Sequence, residues 1–128
     1  MANAPNMVVL TRDNFNQVIE NNDIVLIDFW ADWCGPCRAF KPIFAAAAAR
    51  HPEVTFATCD TEDQPELAAA FQVRSIPTLA VFRDKVLLYA QPGMLPGEAL
   101  DDLVAQAKGL DMVKVRAELA ARQAAAHA

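Results

Sequence analysis

The chain's clearest hydrophobic pattern is the run Ile24–Trp30, apolar at every position except Asp28 and entered from the turn-forming Asn21-Asn22-Asp23. A short unbroken apolar run of this kind predicts a central strand buried on both faces. Met7–Leu10, Val54–Asp60, Thr78–Phe82 and Val86–Ala90 predict four more strands. The last two flank Arg83-Asp84-Lys85 and read as a hairpin, which Pro92-Gly93 then breaks. Helical spacing appears between the strands. Thr11 heads one helix with Phe15, Val18 and Ile19 on its apolar face, and a long helix runs from Cys34 to about Arg50. Pro36 suits the first turn of that helix, whereas Pro42 lies inside it and predicts a kink. Gln64–Phe71 and Pro96–Lys108 complete the set; the latter carries Leu100, Leu103, Val104 and Ala107 on one face and ends at Gly109.

The order β-α-β-α-β-α-β-β-α implies early parallel pairing and a late antiparallel edge. The expected class is α/β, a mixed sheet of about five strands with helices on both faces. Residues 1–6 read as a disordered tail, 7–108 as one domain and 109–128 as a helical extension. In the extension Leu110, Met112, Val113, Val115 and Leu119 form a narrow apolar stripe ahead of an Ala-rich tail. That helix either packs along the domain or frays, or it binds a partner, since a short helix is marginal alone.

Composition narrows the function classes. A chain of 128 residues with 54% hydrophobic positions suits one globular domain. A net charge of −5 argues against nucleic acid, whose phosphates need clustered Lys and Arg. No apolar run is long enough to span a membrane, and the first seven residues lack the basic and apolar regions of a secretory signal. A cytoplasmic monomer is the expectation. Three cysteines are too few for a disulfide scaffold, and two of them stand at CxxC spacing, Cys34-Gly35-Pro36-Cys37.

If a helix starts at Cys34, both thiols lie on its first turn. Side chains at i and i+3 have Cβ atoms about 5–6 Å apart, and a disulfide needs about 3.5–4.5 Å. Slight tightening closes the gap, so the pair can be joined or opened with little backbone movement. Zinc is the competing reading. A structural site needs four ligands, and neither Cys59, His51 nor His127 stands at ligand spacing, so no metal is expected. Asp28 is the second notable residue. A buried carboxylate is costly unless paired or protonated, and burial raises its pKa.

Val25-Leu-Ile-Asp-Phe-Trp-Ala-Asp-Trp-Cys-Gly-Pro-Cys-Arg38 resembles the active-site segment of thioredoxins. Val73-Arg-Ser-Ile-Pro-Thr-Leu79 resembles their second signature, in which the proline follows a cis peptide bond, and Gly93 matches a glycine of their substrate groove. The resemblance covers about residues 7–108 and implies the thioredoxin fold and protein-disulfide reductase activity.

It also implies roles. Cys34 is the nucleophile, placed where a helix N-terminus favours an anion; thioredoxins are a standing example of the lowered thiol pKa at such a site. Cys37 is the resolving thiol. Asp28 assists proton transfer at Cys37 through water, the alternative being a carboxylate satisfied by backbone donors. Pro77 packs beside the thiols so that the backbone of Ile76 can bind an extended substrate. Trp33, Gly35, Pro36 and Gly93 form a permissive docking rim, while Trp30 reads as core packing. Cys59 reads as a small apolar core residue.

The family relation further implies no bound cofactor. Electrons would come from NADPH through a flavin-containing thioredoxin reductase, and the substrates would be disulfide-containing proteins. Gly-Pro between the cysteines resembles reductive members, because a histidine there would further stabilise the thiolate and make the site more oxidising. One departure stands out. Many thioredoxins carry a lysine where this chain has Thr58, so Asp28 should be less stabilised as an anion here. The rival readings are a specialised exchange protein and a chaperone-like binding module whose redox site is secondary.

Overall fold

A computed structural model describes residues 4–127. Five strands, β1 (Met7–Val9), β2 (Ile24–Trp30), β3 (Thr55–Asp60), β4 (Thr78–Arg83) and β5 (Val86–Pro92), form one sheet in the order β1-β3-β2-β4-β5. β1 and β2 run parallel to β3, while β4 is antiparallel to β2 and to β5. The mixed α/β sheet expected from the element order is present. β2 sits in the middle with all of Ile24–Phe29 buried.

Alternation along β2 divides the core in two. Ile24 and Leu26 face Phe40, Phe44 and Ala47 of α2 (Gly35–Arg50) and Leu100 and Val104 of α4 (Gly97–Gly109). Val25, Ile27 and Phe29 face the opposite layer, α1 (Phe15–Asn21) and α3 (Pro65–Ala70). A residue of even number on β2 therefore points toward α2, and Asp28 is one of these. Arg50 and His51, at the end of α2, both bind Asp101 of α4 and join the two helices at the far end of the sheet from Cys34.

Two helix starts differ from expectation, while the hairpin is present as expected. α1 begins at Phe15, not Thr11. Thr11 N–H donates to Asn14 Oδ1 at 2.8 Å and Asn14 N–H donates to Thr11 Oγ1 at 3.2 Å, so these side chains hold the backbone in a turn that competes with helix. α2 begins at Gly35, with Cys34 as its N-cap, and continues through Pro42 to Arg50 without a break. The hairpin turn places both Asp84 and Lys85 at positive φ, 50° and 70°. Those angles match a two-residue turn of the I′ kind, whose twist suits the strands even without glycine.

The extension is helix α5 (Met112–Ala126), capped by Asp111, whose side chain accepts from Lys114 N–H at 3.2 Å. Met112 is buried, Val113 is exposed, and the Arg116 guanidinium donates to the Asp84 carbonyl at the hairpin turn. At the other end, residues 1–3 lie outside the described residues. Asn6, read as part of a loose tail, is anchored: its Nδ2 group donates to the carbonyls of Ala48, His51 and Val54 at 2.9, 3.0 and 2.7 Å. The two N–H bonds of the amide are shared among these three carbonyls at the end of α2 and the entry to β3, where the Ala48 and His51 carbonyls also accept from the backbone N–H of His51 and Val54.

Replacing Asn6 with Ala removes that donor while leaving its acceptors in place. An Asn6→Ala variant is expected to lose about 1–3 kcal/mol of stability, measured by urea unfolding. An unchanged midpoint would show that water replaces the amide at no cost.

Candidate active site

β2 ends at Trp30 and the chain turns through Ala31, Asp32 and Trp33 into α2. Cys34 holds an extended backbone conformation there, and its sulfur accepts from Cys37 N–H at 3.2 Å. It thus occupies the place an oxygen usually takes in capping the first turn of a helix. Proline in that turn costs no hydrogen bond. Cys34 and Cys37 are joined as a disulfide, with Cα atoms 5.2 Å apart. Both cysteines are buried, so the exposed rim comes from their neighbours.

Trp33 is 68% exposed, and its indole N–H donates to Glu62 Oε1 at 2.7 Å. Gly35 and Pro36 are exposed beside it. The Ile76–Pro77 peptide is cis, Pro77 is buried, and the Ile76 carbonyl oxygen lies 3.6 Å from Cys34 Sγ. Gly93 N–H donates to the Pro77 carbonyl at 2.8 Å. Its φ of 104° explains the glycine, because nothing lies where a Cβ would go and the backbone alone imposes the choice. Trp33, Gly35, Pro36, Ile76, Pro77 and Gly93, scattered over sixty residues of sequence, therefore meet around one disulfide.

Asp28 stands behind this rim. It is 2% exposed, and its Oδ1 has no hydrogen-bond partner. Burial raises its pKa from 3.8 to about 7, opposed by the positive charge of Lys41. A cavity of about 610 Å³ borders it, with Trp30, Cys37, Arg38, Lys41 and Thr58 among the lining residues. Thr58 is directly opposite Asp28 in the β2–β3 register. Trp30, expected in the core, instead stands half-buried at the cavity with the Lys41 ammonium 5.6 Å from its ring centroid.

Lys41 is the residue that reading for motifs passes over. Its spacing, four residues beyond Cys37 on α2, was the available signal. Cys59 is fully buried on the opposite face of the sheet, its thiol pushed up to about 12 by desolvation and by the acidic residues Asp60, Asp63 and Asp28. Among the described residues, no group of three or more His, Cys, Asp or Glu comes together as a metal site. No helix among them is long and apolar enough to cross a membrane.

A family model described as Thioredoxin matches residues 6–106. The chain belongs to the thioredoxin family. It is 52% identical over 119 residues to a Streptomyces coelicolor protein that carries a thioredoxin name, covering 93% of this chain and 89% of the relative. It is 39% identical to a thioredoxin of Alicyclobacillus acidocaldarius over 73% of this chain and 90% of that one. Among solved structures it resembles a mutant thioredoxin from Halobacterium salinarum with a TM-score of 0.75 and 32% identity, covering 86% of this chain and 98% of that chain. The protein is a protein-disulfide reductase that works by thiol–disulfide exchange through Cys34 and Cys37, within cell redox homeostasis. The family needs no bound cofactor, and its members act on disulfide substrates and are themselves reduced by thioredoxin reductase.

The buried carboxylate makes a prediction about stability. A folded pKa of about 7 against 3.8 for the free group means that the native state holds the extra proton. The associated stabilisation, about 4 kcal/mol by linkage, is fully present below pH ~4 and is lost as the pH rises through ~7. Asp28→Asn removes this titration. Its stability relative to the parent, from urea unfolding of the oxidised proteins, should rise across that interval and level off above it. A constant difference between the two proteins would contradict an Asp28 that stays protonated to neutral pH.

Proposed function

We propose that Cys34 is the attacking thiol, Cys37 the resolving thiol and Asp28 the group that takes the proton from Cys37. The observation that carries this reading is the asymmetry of the two sulfurs. Cys34 caps the first turn of α2, whose free N–H groups favour an anion. Cys37 shares the cavity with the unpartnered Asp28.

In the reduced protein the Cys34 thiolate attacks one sulfur of a substrate disulfide. A mixed disulfide forms, and the other substrate sulfur leaves as a thiolate that takes up a proton. Cys37 gives its proton to the Asp28 carboxylate, directly or through water, and attacks Cys34 Sγ. The mixed disulfide breaks, and the second substrate sulfur leaves and is protonated. Two electrons pass from the dithiol to the substrate, leaving the Cys34–Cys37 disulfide. A carboxyl that titrates near neutrality can take up and return a proton over the working range.

The exposed Trp33, Gly35, Pro36 and Gly93 offer an apolar, shallow surface to a protein substrate, with the Ile76 backbone beside Cys34 to align an extended segment. The protein works in the cytoplasm and is recharged by a flavin-containing thioredoxin reductase with electrons from NADPH. The family relation supports this reading.

Insulin reduction followed by NADPH oxidation in the presence of a thioredoxin reductase tests the roles. Cys34→Ser should fall to the uncatalysed background and form no covalent adduct. Cys37→Ser should also cease to turn over, while accumulating a mixed disulfide with the substrate that added dithiothreitol releases. An adduct on Cys37 in the Cys34→Ser protein would reverse the assignment.

A further inference from the structure

We propose that Lys41 is the charge partner of Asp28 in this protein, a positioning residue that acts from α2 across the cavity left open by Thr58. The proposal rests on the reading of Asp28 as the proton-transfer group, and it concerns which cation governs that group.

Five placements converge on it. Asp28 and Trp30 are two apart on β2 and so point to the same side of the sheet, toward α2. Cys37 and Lys41 are four apart on α2 and line the same cavity. Opposite Asp28 on β3 is Thr58, a short uncharged side chain, so no cation comes from that strand. The Lys41 ammonium lies 5.6 Å from the Trp30 ring centroid, a cation–π contact that places it at the cavity. No protein hydrogen bond reaches Asp28 Oδ1, so a charge across the cavity adds to the stabilisation of its anion.

The other groups around Asp28 do not take this role. From β1 come Met7, Val8 and Val9, and from β4 Leu79, all uncharged. Asp60, next on the same side of β3 after Thr58, accepts from Glu62 N–H and Asp63 N–H and does not line the cavity. Of the remaining charged lining residues, Asp32 is an anion and would oppose ionisation. Arg38 is tethered through Nη1 to the Asp32 carbonyl at 2.7 Å. Lys41 alone combines positive charge, cavity exposure and an aromatic anchor. The positive charge of the same side chain opposes the rise in Asp28's pKa.

The test is a carbon-13 NMR titration of the Asp28 carboxyl in full-length oxidised protein. Lys41→Met should raise the midpoint by roughly half a pH unit or more, the order of size expected when one partly solvated cation is lost. Lys41→Arg should restore it. Thr58→Lys should lower the midpoint and shrink the effect of Lys41→Met. Arg38→Met should move it less than Lys41→Met does. An unmoved midpoint in Lys41→Met, or a larger shift in Arg38→Met, would overturn the pairing. The pH profile for decay of the mixed disulfide, measured on the same variants, separates the two readings. A profile that tracks the NMR midpoint supports both. A midpoint that moves under an unmoved profile upholds the pairing and overturns the proton-transfer role of Asp28.

Discussion

β2 is hydrogen-bonded along both edges and covered by helices on both faces, and the site is built from its two departures from that state. The first is Asp28, the carboxyl in its interior. The second is its end, where the sheet stops and α2 begins. A strand enclosed on all sides accepts only apolar side chains without cost. Asp28 therefore holds its proton to near neutrality, and the space beside it is bounded by whatever β3 and α2 supply. The chain leaving β2 must turn at once, and the helix that follows aims its first N–H groups at the residue that caps it, Cys34.

These two environments act in opposite senses on acids a short distance apart. A helix N-terminus favours an anion on Cys34, while the enclosed sheet disfavours one on Asp28. Groups whose surroundings push their ionisation in opposite directions divide acid and base roles between them. In the mechanism proposed, that division separates attack from resolution. The cis Ile76–Pro77 segment joins the same point from β4, and Gly93 is fastened to it by its hydrogen bond to the Pro77 carbonyl. Ile76, Pro77 and Gly93 are thus held by the antiparallel half of the sheet, while the sulfurs and the rest of the rim, Trp33, Gly35 and Pro36, follow from the end of β2.

Much of this was legible in the sequence because it rests on local rules. The buried strand shows in the unbroken run Ile24–Trp30, the helix start in Cys34-Gly35-Pro36, and the closable thiols in their spacing. What was hidden depends on side chains far apart in sequence. Thr11 reads as a helix start, yet its exchange of hydrogen bonds with Asn14 delays the helix to Phe15. Asn6 lies in a stretch with no periodicity, and its order comes from carbonyls more than forty residues away. Trp30 extends the apolar run and so reads as core, but the space beside Thr58 and the approach of Lys41 leave it at a cavity wall. The Thr58 substitution was visible by resemblance, whereas the cation that answers it from α2 required the packing of helix on sheet.

The difference between the two sulfurs can be measured directly by alkylating the fully reduced protein with iodoacetamide across pH ~5–9 and mapping the modified peptides. Cys34 should react first, with a midpoint below the ~8.5 of an ordinary thiol. Cys37 should react late and Cys59, enclosed in the core, last of all. Equal rates at Cys34 and Cys37, or an earlier reaction at Cys37, would contradict the division of roles that β2 and α2 impose.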